Sequence, residues 1–195
     1  MKVYTMNIRG INPNDRKWYK YLSENRIEKV NRLKQKEKKA QSIGAELLLN
    51  YAVNGDIKTT VKWDTDENGK LYLTEHKDKY VNLSHSKDYA VCAVHDKPIG
   101  IDIQYCRECD MRIAERFFTG AEADIIRRAP VPQKTFFEIW TKKESLVKAV
   151  GCALTVPLSS FSVIGSTAEY DGKIYRFKEY SVRESGYKLY SCFLV

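Results

Sequence analysis

A strand, a helix and a strand end hold the residues of this chain that could do chemistry. In Gly100-Ile-Asp102-Ile-Gln104 polar and apolar residues alternate, so on a strand Asp102 and Gln104 share one face and Ile101 and Ile103 the other. In Phe136-Phe-Glu-Ile-Trp-Thr-Lys-Lys-Glu-Ser-Leu-Val-Lys148, a run without Gly or Pro, Glu144 and Lys148 stand four residues apart and meet on one helix face. Carboxylate and amide oxygens suit Mg²⁺, which is commonly held by one or two carboxylates together with substrate phosphate. An ammonium beside them suits the phosphate itself. Asn82-Leu-Ser84-His85-Ser86 adds hydroxyls and an imidazole where a strand ends, able to hydrogen-bond an anion. Each feature also has a plainer reading. Alternation is what any half-buried strand shows, and an exposed Glu144–Lys148 pair contributes only about 0.2–0.5 kcal/mol. Ser84 and His85 could be a polar turn, and they make no dyad because neighbours on a strand point to opposite faces.

Two other patterns lead nowhere. Cys106-Arg-Glu-Cys109 has the spacing of half a zinc site, but the remaining cysteines and the three histidines are scattered singles. Ser145-Leu-Val-Lys148 has the S-x-x-K spacing of penicillin-binding enzymes, yet no Lys-Thr-Gly or Ser-Asp-Asn accompanies it.

The elements that must position these side chains are legible in outline. Thr135 is the expected N-cap of the helix that ends at Lys148, with Gly151 as its stop. Ser23 suits the N-cap of a helix through Arg32, and Ala40 to Val53 carries apolar residues at helical spacing before Gly55. Asn68-Gly69 between Val61-Lys-Trp-Asp64 and Lys70-Leu-Tyr-Leu73 marks a hairpin. Strands are expected at Val81 to Leu83, Tyr89 to Val94 and Ile99 to Ile103, the last two joined by a turn at His95-Asp-Lys-Pro98. Helices follow at Met111 to Phe118 and Thr119 to Arg128, where Thr119-Gly-Ala-Glu122 fits a capping box that would give Glu122 a structural task. Pro130 and Pro132 break the chain, and strands are expected at Ser160 to Ile164, Lys173 to Tyr180 and Lys188 to Leu194. Helices followed by hairpin-spaced strands, twice over, predict an α+β fold. Two packed units, 1–98 and 99–195, divide near Pro98.

At 195 residues, 43% hydrophobic and 30% charged, the composition is that of a globular chain. No apolar run approaches the ~20 residues of a membrane span, and the N-terminus lacks a signal-peptide core, so no membrane partner is expected. Five cysteines without an export signal imply reduced thiols in a cytoplasm. The net charge of +8 favours anionic partners. Six of the basic residues lie between Lys29 and Lys39, a run that is more simply a solvated helix face.

Together these blocks resemble the 4′-phosphopantetheinyl transferases of the surfactin-synthetase-activating type. The likeness runs from Arg26 to Phe161, through Gly69-Lys70, Asn82-Leu-Ser-His-Ser86, Pro98-Ile-Gly-Ile-Asp-Ile-Gln104, Arg116-Phe-Phe-Thr-Gly-Ala-Glu122, Trp140-Thr-Lys-Lys-Glu-Ser-Leu-Val-Lys148 and Leu154-Thr-Val-Pro-Leu-Ser-Ser-Phe161. The G-I-D and W-x-x-K-E-S-x-x-K blocks are its most specific parts.

The resemblance implies two similar α+β lobes related by a pseudo-twofold, one compact monomer, and coenzyme A in the cleft between the lobes. It implies that Asp102, Gln104 and Glu144 hold Mg²⁺ and that Lys148 binds phosphate near the reacting centre. Ser84, His85, Arg26, Lys29 and Lys70 would contact the coenzyme's phosphates, with Arg26 replacing a lysine of the type member. The implied reaction is attack by a carrier-protein serine on coenzyme A. It leaves 4′-phosphopantetheine on the serine and releases adenosine 3′,5′-bisphosphate. Glu144, Glu122 or metal-bound water could take the serine proton, and Trp140 would pack the helix so that Glu144 and Lys148 stay aimed. An acidic carrier protein would find the basic surface by charge. Gln104 stands where many relatives have a third acid, which predicts weaker Mg²⁺ binding. The rivals are a coenzyme A-binding relative with weak turnover and a basic nucleic-acid-binding module, for which the chain carries no recognised motif.

Overall fold

The computed structural model describes residues 1–108, 110–151 and 156–195; Cys109 of the CxxC pattern and the start of the Leu154–Phe161 block lie outside them. Three sheets organise the chain. Strands β1 (Lys2–Asn7), β4 (Tyr80–Ser86) and β5 (Tyr89–His95) form one in the order β1-β5-β4, and β2 (Trp63–Thr65) and β3 (Leu71–Leu73) form a hairpin. Strands β6 (Ile99–Tyr105), β7 (Thr167–Tyr170), β8 (Lys173–Tyr180) and β9 (Tyr187–Leu194) form an antiparallel sheet in the order β6-β9-β8-β7. The α+β expectation holds. Among the described residues no helix is long and apolar enough to cross a membrane.

One long helix packs on each larger sheet. Helix α2 (Lys36–Asn54) is buried along every residue from Gln41 to Asn50 and ends at Gly55, whose φ of 83° supplies the left-handed cap. Helix α1 (Glu24–Arg32) lies against it, capped by the Ser23 hydroxyl as expected. Short α3 (Arg112–Phe117) leads into α4 (Gly120–Arg128), where Thr119 and Glu122 close the expected capping box.

Helix α5 (Pro132–Val150) carries Glu144 and Lys148 and stops at Gly151, φ 87°. It begins a turn earlier than the sequence suggested. Val131 is its N-cap and Pro132 opens it, because the fixed φ of proline suits the first helical turn. Thr135 is therefore an interior residue, its hydroxyl turned back to the Val131 carbonyl at 3.4 Å. The apolar residues of α5 form no single stripe because the helix is buried on several sides. Trp140 stacks on Phe136 and tilts against Phe118, which fixes its rotation.

Other boundaries moved for reasons the structure makes plain. Ser160 to Ile164 forms no strand. Its backbone serves side chains instead: the Phe161 carbonyl, with that of Leu158 just before the segment, accepts from Lys143 Nζ, and Val163 N donates to Glu122 Oε1. Strands β5 and β6 do not pair across the His95–Pro98 turn but enter different sheets. Strand β1 pairs with β5 from Lys2↔Val94 to Asn7↔Tyr89. Strand β7 was not expected; it pairs with β8 across a two-residue hairpin turn at Asp171-Gly172, with φ values of 52° and 67°.

Two edge strands meet where the larger sheets adjoin. From β4, Asn82 Oδ1 accepts from Ile101 N (2.9 Å), Ser84 Oγ from Ile103 N (3.4 Å) and Ser86 Oγ from Tyr105 N (3.0 Å). The constant offset of 19 residues means that β4 and β6 run in the same direction. Side chains here do what backbone carbonyls do in a ladder, and the backbone N–H groups of β6 are satisfied.

Candidate functional site

The seam between β4 and β6 sets the geometry of the charged cluster. Asp102 lies on β6 and is almost wholly buried. Ser84 Oγ donates to its Oδ1 at 2.8 Å, Lys148 Nζ reaches the same oxygen at 2.6 Å, and Gln104 Nε2 donates to Oδ2 at 2.9 Å. Asp102 and Gln104 thus share one strand face, as their spacing requires.

Helix α5 reaches this face because Gly100 lets it. A Cβ at Gly100 would fall inside contact distance of the Ser145 carbonyl oxygen and the Ala149 nitrogen, and 2.9 Å from the Lys148 carbonyl carbon. With only hydrogen there, the helix backbone lies directly on β6. Lys148 Nζ then bonds Asp102 Oδ1, Ser84 Oγ (3.1 Å) and the Ile101 carbonyl (3.2 Å). Glu144, one turn earlier, is half-buried and makes no hydrogen bond or ion pair among the described residues. Burial raises its pKa, the Asp102 charge raises it further, and Lys148 partly offsets both.

Lys148 also lines a cavity of about 610 Å³ with Arg26, Lys29, Lys70, His85 and Trp63. Arg26 is held from behind: its Nε bonds buried Glu46 at 2.7 Å, and its guanidinium lies 4.9 Å from the Trp63 ring centre. Lys29 is exposed overall, yet its ammonium is partly screened from water at the cavity wall. That desolvation, and then Arg26, hold its pKa below the lysine norm. Lys70 Nζ bonds the Ala149 carbonyl at 2.6 Å. His85 is pushed down to about 4 by burial first, then by Lys38, Lys148 and Lys29, and its Nδ1 has no partner. An imidazole so placed is neutral near pH 7, among cations that favour anions in the cavity.

Five of the six expected phosphate-binding residues therefore meet in one cavity. Ser84 does not line it. On its strand Ser84 faces the seam and His85 faces the cavity, as alternation dictates. Glu122 stands apart as well, fully buried and outside the cavity lining. Its Oε2 accepts from Thr119 N (2.9 Å) and pairs with Lys143 (2.8 Å), while Oε1 accepts from Val163 N (2.8 Å). Lys143 is a residue that sequence reasoning passed over. It spends its charge on Glu122 and on two carbonyls, tying α5 to α4 and to residues 158–163. Burial lowers its pKa and Glu122 opposes that.

No cluster of three or more His, Cys, Asp or Glu side chains able to hold a metal ion occurs among the described residues. Asp102 and the Gln104 amide are hydrogen-bonded and Glu144 lies within electrostatic reach of Asp102; carboxylate and amide oxygens are the donor types that suit a hard divalent cation. Asp102 and Glu144 are close enough for one charge to raise the other's pKa, a repulsion that a cation between them relieves.

The chain matches the family described as the 4′-phosphopantetheinyl transferase superfamily over residues 98–180, from the start of β6 to the end of β8. It is 32% identical over 148 residues to the 4′-phosphopantetheinyl transferase Sfp of Bacillus subtilis (strain 168), covering 73% of this chain and 66% of that one. A second 4′-phosphopantetheinyl transferase of Bacillus subtilis is 35% identical over 147 residues with the same coverage. The 4′-phosphopantetheinyl transferase gsp of Aneurinibacillus migulanus is 43% identical over 86 residues, 43% of this chain and 36% of that one. Among solved structures, the holo-[acyl-carrier-protein] synthase of Thermotoga maritima aligns with 50% of this chain and 62% of that one, at 16% identity and a TM-score of 0.39. The chain spans just under two thirds of the length of the two Bacillus subtilis relatives. With the G-I-D strand and the K-E-S-x-x-K helix meeting at one carboxylate, and with the family match over residues 98–180 and the two Bacillus subtilis relatives, the chain belongs to the 4′-phosphopantetheinyl transferase superfamily.

Proposed function

We propose that the protein transfers the 4′-phosphopantetheine group of coenzyme A to a serine of an acyl or peptidyl carrier protein, with Mg²⁺ as cofactor, and releases adenosine 3′,5′-bisphosphate. One observation carries the reading: a cavity is lined by Arg26, Lys29, Lys70, His85 and Lys148, and Lys148 links it to the carboxylates, bonding Asp102 at 2.6 Å one helical turn beyond Glu144. An ion with several phosphates needs the first, and phosphoryl transfer needs the second.

The roles follow from position. Arg26, Lys29 and Lys70 bind phosphate oxygens, and His85 lines the same cavity. Asp102, Glu144 and the Gln104 amide oxygen would hold Mg²⁺, which neutralises charge on the phosphoryl oxygens when bound. Lys148 stabilises that charge from the helix side. Of the two glutamates Glu144 is the better proton acceptor for the serine, because among the described residues its carboxylate makes no hydrogen bond or ion pair within the protein. Glu122 is better read as a positioning residue, because both its oxygens are engaged in the packing of α4 and α5. The protein would act as a monomer in the cytoplasm, where the buried free thiols of Cys92 and Cys192 are stable. Its carrier would be acidic, in keeping with a net charge of +8.

The test is direct. Incubation with coenzyme A, Mg²⁺ and an apo carrier protein should add the phosphopantetheine mass to the carrier, and a chelator should abolish it. No gain on any of several carriers would overturn the reading, and Glu144→Ala with near-normal turnover would overturn the metal-site assignment.

A further inference from the structure

The bonds of Lys148 are complete without any ligand. An ammonium has three donors, and those of Lys148 go to Asp102 Oδ1 at 2.6 Å, Ser84 Oγ at 3.1 Å and the Ile101 carbonyl at 3.2 Å. Asp102 is engaged at both oxygens, with Ser84 and Lys148 on one and Gln104 on the other. The Asp102 side chain is 3% exposed and that of Lys148 24%. So the carboxylate is enclosed, while the Lys148 side chain is partly exposed and lines the cavity. The same lysine can neutralise Asp102 or a phosphate in the cavity. At bonding distance it cannot fully serve both.

We propose that Lys148 competes with a divalent cation for Asp102, and that coenzyme A phosphates shift the competition by drawing the ammonium into the cavity. This rests on the reading above that Asp102 and Glu144 hold a metal ion. Its consequence is positive coupling: the anion makes the carboxylate available to the cation. By reciprocity the cation, once on Asp102, makes Lys148 available to the anion by the same factor. Gln104 sharpens the effect. Where a third acid would attract the metal regardless of Lys148, an amide adds no charge, so the ammonium's position decides how negative the cluster is.

The experiment measures Mn²⁺ binding by titration calorimetry, with and without saturating coenzyme A and no carrier. Without coenzyme A, Lys148→Met should bind Mn²⁺ at least about tenfold tighter than wild type, because a unit positive charge next to the carboxylate is gone. Coenzyme A should tighten Mn²⁺ binding by a larger factor in wild type than in the variant, since only wild type has an ammonium to withdraw. Lys148→Gln, which keeps a hydrogen-bond donor, repeats the test if the methionine variant does not fold. In wild type alone, Mn²⁺ should accelerate reductive methylation of Lys148, read by peptide mass spectrometry. Equal Mn²⁺ affinity in wild type and variants, or a methylation rate indifferent to Mn²⁺, overturns the competition and leaves the metal site standing. Absence of Mn²⁺ binding in every protein, even with coenzyme A, overturns the metal site and the competition with it.

Discussion

Helix α5 lies on β6 at a spacing that only glycine allows, and Gly100→Ala measures how much of the site depends on that contact. The added methyl would meet three backbone atoms of α5, at Ser145, Lys148 and Ala149, none of which can rotate away. Contacts of a Cβ below 3.0 Å are essentially never seen, so strand and helix must part by about an ångström. Two effects oppose each other. Alanine stabilises by about 0.4–1 kcal/mol by restricting the unfolded chain. Overpacking a well-filled contact costs about 1–3 kcal/mol, and rigid backbone on both sides puts this case at the upper end. The clash should win by about 2–2.6 kcal/mol, which lowers the melting temperature by roughly 4–10 °C in a chain of this size. Activity should suffer more than stability. Lys148 and Asp102 sit two residues or fewer from the clashing atoms, and their 2.6 Å contact does not survive such a separation. A misplacement of about 1 Å costs on the order of 10²-fold in rate. The assays are thermal unfolding and kcat/KM for carrier modification. A Gly100→Ala protein as stable as wild type and within threefold of its kcat/KM would refute the reasoning.

Three further outcomes follow from named contacts. Glu122→Ala should cost about 3–5 kcal/mol in urea unfolding, because it leaves Lys143 charged and buried. A lost cap alone would cost only about 1 kcal/mol; that smaller loss would show the Lys143 pair to be worth little. Gln104→Glu should lower the Mg²⁺ concentration giving half-maximal transfer and destabilise the protein in chelator, where a third acid faces Asp102; an unchanged Mg²⁺ dependence would be wrong for this site. The pKa of His85 falls from 6.5 unfolded to about 4 folded, so between these values the unfolded chain binds the extra proton and stability drops as pH falls. The drop approaches about 3 kcal/mol across that window. Glu144, whose folded pKa is raised, pulls the other way, so the comparison is wild type against His85→Asn. The variant should lose less stability between pH 6.5 and 4, and parallel curves would contradict the assignment.

What could be read from the sequence was whatever depended on local chemistry. Ser23, Gly55, Thr119 with Glu122 and Gly151 all cap where they were expected to, since a cap needs only its own few residues. Alternation put Asp102 and Gln104 on one face. The failures have a common cause in tertiary demand. Thr135 has the right chemistry for a cap, but Pro132 starts the helix first. Ser160 to Ile164 has a strand's composition, yet its Phe161 carbonyl and Val163 N are claimed by Lys143 and Glu122. Lys143 itself looked like one more basic residue among many. Only its place in a helix buried on several sides marks it as an anchor, and that burial shows in sequence just as an apolar pattern without a stripe.

Asn82, Ser84 and Ser86 show how function and fold share residues here. Read alone, three short polar side chains on alternate strand positions suggest a face turned to solvent or to a ligand. In the structure they replace a row of backbone acceptors and join β4 to β6. Ser84 is the middle rung, and its hydroxyl also donates to Asp102. Its single proton is spent there, so it can only accept from Ile103 N and Lys148. The seam thereby fixes both the place of the carboxylate and the direction in which its nearest neighbours point. A loop could supply the same groups, but each would have to be ordered when ligand binds. Built on two edge strands and a helix pressed onto glycine, the charged cluster is held in register by hydrogen bonds that the fold must make anyway. That leaves the cavity-lining Lys148 and His85, and Glu144, which makes no hydrogen bond or ion pair among the described residues, as the parts placed to respond to a ligand.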